Sequence, residues 1–224
     1  MKIHKLTVYT NQLQKQLKFY NERFGFSIQT QTEKSFELNI GYSLLRFEQA
    51  EQITPYHIAF HIPDRQEKEA ANWVEDRTKI LKNGADKIVD FSNWSAKSLY
   101  FYDEDKNILE FIARDDFSKP KADLFSAKSV VGISEIGLAT HSIKDIFKLL
   151  NQKCNLEIFD GNLDQFCAIG EPNGLIITID KNKKDWFPTN DKAYSSDFIL
   201  DFEHDRKQFQ IIFKEDVLHI SEIK

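Results

Sequence analysis

The 224 residues carry 30 Lys and Arg against 35 Asp and Glu, a net charge of -5 at pH 7, with 41% hydrophobic and 13% aromatic residues. That balance belongs to a folded globular chain and excludes the concentrated basic surface that nonspecific nucleic-acid binding needs. No apolar run is long enough to span a membrane, and the N-terminus enters a strand pattern without a signal-peptide pattern, so a cytoplasmic location is expected.

The first apolar pattern alternates from Ile3 to Thr10 and predicts a strand. It then changes to helical spacing over Leu13 to Phe24, closed by Gly25. Three short strands follow, over 26–30, 35–40 and 43–48. The order recurs with a strand at 56–62, a helix from about Gln66 to Leu81 with Asp64 near its N-cap, and strands at 87–91, 98–102 and 108–113. Arg114 to Ser129, with Pro120 and several Lys, reads as a linker. A third unit runs from Ile133 through a helix over 143–154 to strands at 156–159, 166–169 and 175–179. The fourth keeps strands at 197–202, 209–213 and 217–220, with only the polar turn HDRKQ where a helix would stand.

The chain therefore repeats itself. Ile3–Asn21 lies over Ile133–Asn151 without a gap, 130 positions apart, and the apolar positions coincide: Leu6 with Ile136, Val8 with Leu138, Leu17 with Phe147. A duplicated fold directs attention to the junction between copies. Cys154 and Cys167 form no C-x-x-C pair and sit among apolar neighbours, as buried thiols do. The basic cluster Lys181, Lys183 and Lys184 reads as solvated loop charge.

Particular strings carry a resemblance. Phe19-Tyr20 with Phe24-Gly25-Phe26, the strand His57-Ile58-Ala59-Phe60, and the segment Tyr100 to Glu110 (YFYDEDKNILE) are similar to motifs of the vicinal oxygen chelate superfamily. That is the glyoxalase, bleomycin-resistance and extradiol dioxygenase group. Glu104 replaces a Pro of its DPDGN turn and Lys106 a Gly. The resemblance implies an α+β fold of tandem βαβββ modules, paired into two glyoxalase-like domains with cupped mixed sheets. The expected domains are residues 1–115 and an abbreviated one at 130–224.

In that family each module offers one ligand from its first strand and one from its last. The N-terminal places fall on Lys5, His57, Arg46 and Glu110. His57 and Glu110 are thus the candidate metal ligands, for Mn, Fe, Ni or Zn, with Glu110 also the candidate catalytic residue and His61 a possible third ligand. His57, Ala59 and His61 share one strand face. His4 lies out of phase and could ligate only through a bulge.

Lys5 and Arg46 would repel a metal and could instead pair with Glu110. In a metal-free pocket Lys5, Tyr9, Arg46, Trp94 and Tyr100, with Tyr102, would hold an anionic or aromatic molecule. The C-terminal copy places Glu135, Asp197 and His219 as a second inventory, with apolar residues near Ile177 in the remaining place.

Two functions stay open: a small-molecule binding protein with a degenerate metal site, or a divalent-metal lyase, isomerase or ring-cleaving dioxygenase using His57 and Glu110. The expected partner is a small molecule, without nucleic acid or membrane, and the chain could be a monomer or homodimer. No P-loop, G-x-G-x-x-G or zinc-finger spacing supports another class.

Overall fold

The computed structural model describes residues 1–122 and 124–223. The first module contains β1 (Lys2–Thr10), α1 (Leu13–Leu17) continued by a π-helical turn over Lys18–Arg23, β2 (Ile28–Gln31), β3 (Ser35–Ile40) and β4 (Ser43–Gln49). The second contains β5 (His57–Ile62), α2 (Glu67–Glu75), β6 (Ile80–Leu81), β7 (Val89–Phe91), β8 (Ala96–Tyr102) and β9 (Ile108–Arg114). The third has β10 (Gly132–Thr140), α3 (Ile143–Cys154), β11 (Ile158–Gly161), β12 (Phe166–Glu171) and β13 (Gly174–Asp180). The fourth is a meander of β14 (Phe198–His204), β15 (Lys207–Lys214) and β16 (Val217–Ile223). Two-residue turns join it, with Asp205, Arg206, Glu215 and Asp216 all at positive φ. It has no helix, as its polar turn led one to expect.

These strands form two open mixed sheets, in the α+β class read from the sequence. Sheet A runs β16-β15-β14-β1-β4-β3-β2, and sheet B runs β11-β12-β13-β10-β5-β9-β8-β6 with β7 on β8. The repeat is visible at atomic detail. Both first strands are bulged at the same place, between Ile3 and Lys5 and between Ile133 and Glu135. Thr10 Oγ1 accepts from Gln12 N at 3.0 Å, as Thr140 Oγ1 accepts from Ser142 N at 3.2 Å.

The modules do not pair in chain order. β1 joins β14, so the first module pairs with the fourth; β5 joins β10, so the second pairs with the third. Residues 1–115 thus hold half of each sheet, and the expected pairing within 1–115 is not formed. At Val131 the chain returns beside β5, where its N donates to His61 O at 2.8 Å, and β10 covers the strand edge there.

Two local expectations also shift. The second helix ends at Glu75, well short of Leu81. Arg77 turns back over the Trp73 ring at 4.1 Å and donates to Trp73 O at 2.7 Å, and Ile80–Leu81 pairs with β8 instead. Lys106 adopts φ 64 where the turn motif carries glycine, with its ammonium 5.1 Å from the Tyr102 ring.

Burial patterns distinguish the two sheets. Leu6, Val8, Ile58, Phe60, Ile133 and Phe198 face one continuous core that also takes in residues of all three helices. On sheet A the opposite face is open: β4 and β14 alternate buried with half-exposed residues. On sheet B both faces are covered, because β9, β10 and β13 are buried at every position. The second face there packs Tyr100, Ile108, Ile177, Ile179 and Trp186, with the loop after β13 supplying Trp186.

Candidate metal and ligand site

On that second face of sheet B three side chains converge. In β5 the pleat turns His57, Ala59 and His61 away from the core that Ile58, Phe60 and Ile62 enter. The parallel register of β5 with β9 sets Ala59 opposite Glu110, and the antiparallel register with β10 sets Ala59 opposite Glu135. The Ala59 methyl leaves room above it. His57, Glu110 and Glu135, all buried, each bring a ligand atom within 4.8 Å of the others.

His57 Nε2 lies 3.4 Å from Glu110 Oε2. Burial lowers the His57 pKa to about 4, so the imidazole is neutral at pH 7. Glu110 is pushed up to about 8, first by burial and then by the charge of Glu135. Glu135 is also raised by burial, against the opposing charge of Arg114. Arg114 Nη2 donates to Glu135 Oε1 at 2.7 Å, and both residues are buried.

A cavity of about 610 Å³ opens over these groups. Trp94, Tyr100, Phe91, Phe166, Trp186 and Phe187 supply aromatic walls, with Ile112, Ile177 and Lys184 also among the lining residues. Trp94 is oriented by its indole N–H, which donates to Asp160 Oδ2 at 2.6 Å. Trp186 tilts against the His57 ring at 5.3 Å. Gly137 permits this, since a Cβ there would meet the indole at 2.6 Å.

The sequence-predicted residues divide between the sheets. His57, Glu110, Trp94 and Tyr100 come together here, and Ile177 occupies the apolar fourth place. Lys5, Tyr9 and Arg46 do not join them, because β1 and β4 lie in sheet A. Lys5 pairs with Glu37 rather than Glu110, and Arg46 with Glu48 at 2.7 Å and Ser35 Oγ at 3.0 Å. Tyr9 borders a different cavity with Tyr56 and Asp197.

The bulge beside His4 is present, but its ring stands 3.4 Å from Glu203. His61 is no third ligand either: its Nε2 faces Asn173 O at 3.3 Å and its ring stacks on Phe117. The second inventory is split as well. Glu135 belongs with His57 and Glu110, whereas Asp197 precedes β14 and the exposed His219 sits on β16, both on the side of sheet A.

The sequence reads Arg114 as the start of a linker, and the structure corrects this. It is the last residue of β9 and shares the face of Glu110 and Ile112 at period two, a signal the alternation already held.

The donor set fits a divalent cation. One neutral imidazole and two carboxylates are N and O ligands for first-row metals, and Arg114 compensates only Glu135. A buried carboxylate without a cation is costly, and a divalent ion among the three would supply that charge.

Module pairs that bring first-strand and last-strand residues to a buried N/O group define a duplicated α+β protein with a candidate site between its modules. Residues 2–150 match the family model described as Glyoxalase/Bleomycin resistance protein/Dioxygenase superfamily, and the chain belongs to that superfamily. A provisionally assigned dioxygenase from Bacillus subtilis shares the fold over 99% of this chain and 84% of its own, at 11% identity and TM-score 0.64. Lactoylglutathione lyase from Agrobacterium tumefaciens matches 50% of this chain and 92% of its own, at 17% identity and TM-score 0.43. No protein of curated function matches the sequence.

Proposed function

We propose that the protein binds a small organic molecule in the sheet B cavity and acts on it as a metal-dependent lyase or isomerase. The observation that carries this reading is the convergence of His57, Glu110 and Glu135 at the floor of an aromatic-walled cavity. A divalent ion held by these residues would act as a Lewis acid toward substrate oxygens. Its donor set, one histidine and two carboxylates, differs from the two-histidine, one-carboxylate set of iron oxygenases, which favours proton-transfer over ring-cleavage chemistry.

The chain's own groups supply the rest. Burial holds the metal-free Glu110 carboxyl largely protonated at neutral pH, and a bound cation would favour its ionised form, in which it could serve as the general base. Neutral His57 offers a ring-nitrogen lone pair, with Nε2 the nitrogen nearest Glu110. Tyr100, Trp94, Phe187 and Trp186 exclude water and present flat apolar surface to the ligand. A second reading, a metal-free binding protein, is favoured by the Arg114–Glu135 ion pair, which already compensates one carboxylate.

Metal content of the purified protein, followed by thermal melts with Mn, Fe, Ni and Zn ions, separates the two. Native-state binding raises the melting temperature with ion concentration. The expected result is stabilisation of the wild type that His57→Ala and Glu110→Gln each lose. A wild type that gains nothing from any of the four ions leaves only the binding reading.

A further inference from the structure

The face of sheet B that carries the site continues past it. Along β8 and β9 the paired residues Tyr100 and Glu110 line the cavity described above, and the next pair on the same face, Tyr102 and Ile108, lines a second cavity of about 460 Å³. Two residues along a strand advance about 6.6 Å, so the two chambers lie one pleat apart over one surface. Among the described residues Trp186 alone lines both.

The indole is fixed there as a wall. Its ring tilts over His57 with centroids 5.3 Å apart, and Gly137 of β10 lets it come down onto the sheet, where a Cβ would stand 2.6 Å from it. The backbone holds the residue as well, since Trp186 N donates to Asp191 O and Asn190 N to Trp186 O, each at 2.8 Å. Trp186 is buried, and a ring packed this closely leaves no passage between itself and the strand.

The chamber beyond differs in its chemistry. Lys106 and Lys192 line it, with their ammonium groups 5.1 Å from the Tyr102 ring and 5.7 Å from the Tyr194 ring. Its one acidic residue, Asp191, accepts from the Tyr102 hydroxyl, and Glu104 near Lys106 in the chain pairs with Arg23. A ligand long enough to enter that chamber would meet two cations, each worth a modest attraction at the surface. The indole keeps a ligand in the first chamber from reaching them.

We propose that Trp186 sets the length of ligand this site accepts: the substrate is a compact molecule with a flat apolar body that ends at the indole, and molecules that continue past it are refused the second chamber. The proposal rests on the cavity over His57 and Glu110 being the functional site. It makes Trp186 a specificity-determining residue and gives it no part in the chemistry.

The test is calorimetry on the full-length protein with two probes, 2-naphthamide and 6-(2-naphthamido)hexanoate, which adds to the same flat head an alkyl arm ending in a carboxylate. The wild type is expected to bind the armed probe no more tightly than the plain one. Trp186→Ala, which joins the chambers, should prefer the armed probe about tenfold, through burial of the arm and attraction to the lysines. Adding Lys106→Met and Lys192→Met to Trp186→Ala should remove most of that preference. Should Trp186→Ala not fold, Trp186→Leu, which keeps an apolar but shorter side chain over His57, decides on the same criterion.

Mn2+ retention, read by electron paramagnetic resonance, is scored separately. A wild type that holds no Mn2+, in a protein that gains the preference on loss of the indole, removes the metal centre and leaves the length limit standing. A preference for the armed probe already present in the wild type, no gain in the Trp186 variants, a gain that survives loss of both lysines, or no binding of either probe by any form overturns the proposal.

Discussion

Glu110 and Glu135 reach one point from opposite sides of Ala59, the residue that both face across their strand registers. Two carboxylates from different modules meet because the residue between them is small. Substituting Ala59→Leu therefore fills the space above β5 without removing a ligand. Metal-induced stabilisation should be lost, and overpacking should cost about 1–3 kcal/mol. Thermal melts with and without ion measure both. An Ala59→Leu protein that binds ion as the wild type does would show that the carboxylates do not share a site.

The pH dependence of the metal-free protein reports on Glu110. Its folded pKa is raised from 4.5 to about 8. Between those values the folded state holds a proton that the unfolded state has released, so stability falls as pH rises through this window. Glu110→Gln removes the group that must ionise. Metal-free Glu110→Gln should match the wild type near pH 4.5 and exceed it by a few kcal/mol at pH 8. Denaturant titrations at the two pH values measure the gap, and a gap that shrinks toward pH 8 contradicts the assignment.

Acid should destabilise the fold through the two buried histidines of this face, His57 with its pKa near 4 and His61. Burial, with Arg114 adding its charge, lowers the His61 pKa from 6.5 to about 3. The unfolded state then binds a proton that the folded one refuses, and stability is lost as pH falls from 6.5 toward 3. His61→Gln should make that limb shallower in melts between pH 7 and 4, with His57 supplying what remains. An acid limb as steep as in the wild type would place the loss elsewhere.

Asn107 holds the turn that delivers β9. Its Oδ1 accepts from Tyr56 N at 2.8 Å, and its Nδ2 donates to Asp103 Oδ2 at 2.8 Å. Tyr20 and Gln16 of the first helical segment donate to the same Asp103 oxygen at 2.9 and 3.0 Å. Asn107→Ala leaves the buried Tyr56 amide without this acceptor, and should cost about 2–4 kcal/mol. Urea unfolding measures it; a loss within experimental error would mean that the turn is held by other bonds.

The pairing of the modules predicts that residues 1–115 do not fold alone. In that fragment β1 would lack β14 and β5 would lack β10, leaving two inner strands as open edges. Circular dichroism and amide exchange of the fragment should show no cooperative transition. A cooperatively folded fragment would require that the two N-terminal modules also pair with each other.

The sequence by itself determined the modules. Period-two and helical spacing located β1, β5, β10 and α3, because side-chain direction in a strand or helix follows from local geometry. The same alternation placed His57, Ala59 and His61 on one face, the family resemblance gave His57 and Glu110 as ligand places, and the 130-residue repeat placed Ile177 and Glu135 at the corresponding ones. Pairing is different, since a strand edge accepts any partner whose registry and connection allow it. Only the tertiary structure decided that β5 pairs with β10, which moved Glu135 into the site and left Lys5 and Arg46 on the open face of sheet A. Arg114 marks the same boundary: its place on the strand is local, but its bond to Glu135 joins two modules and exists only once they meet.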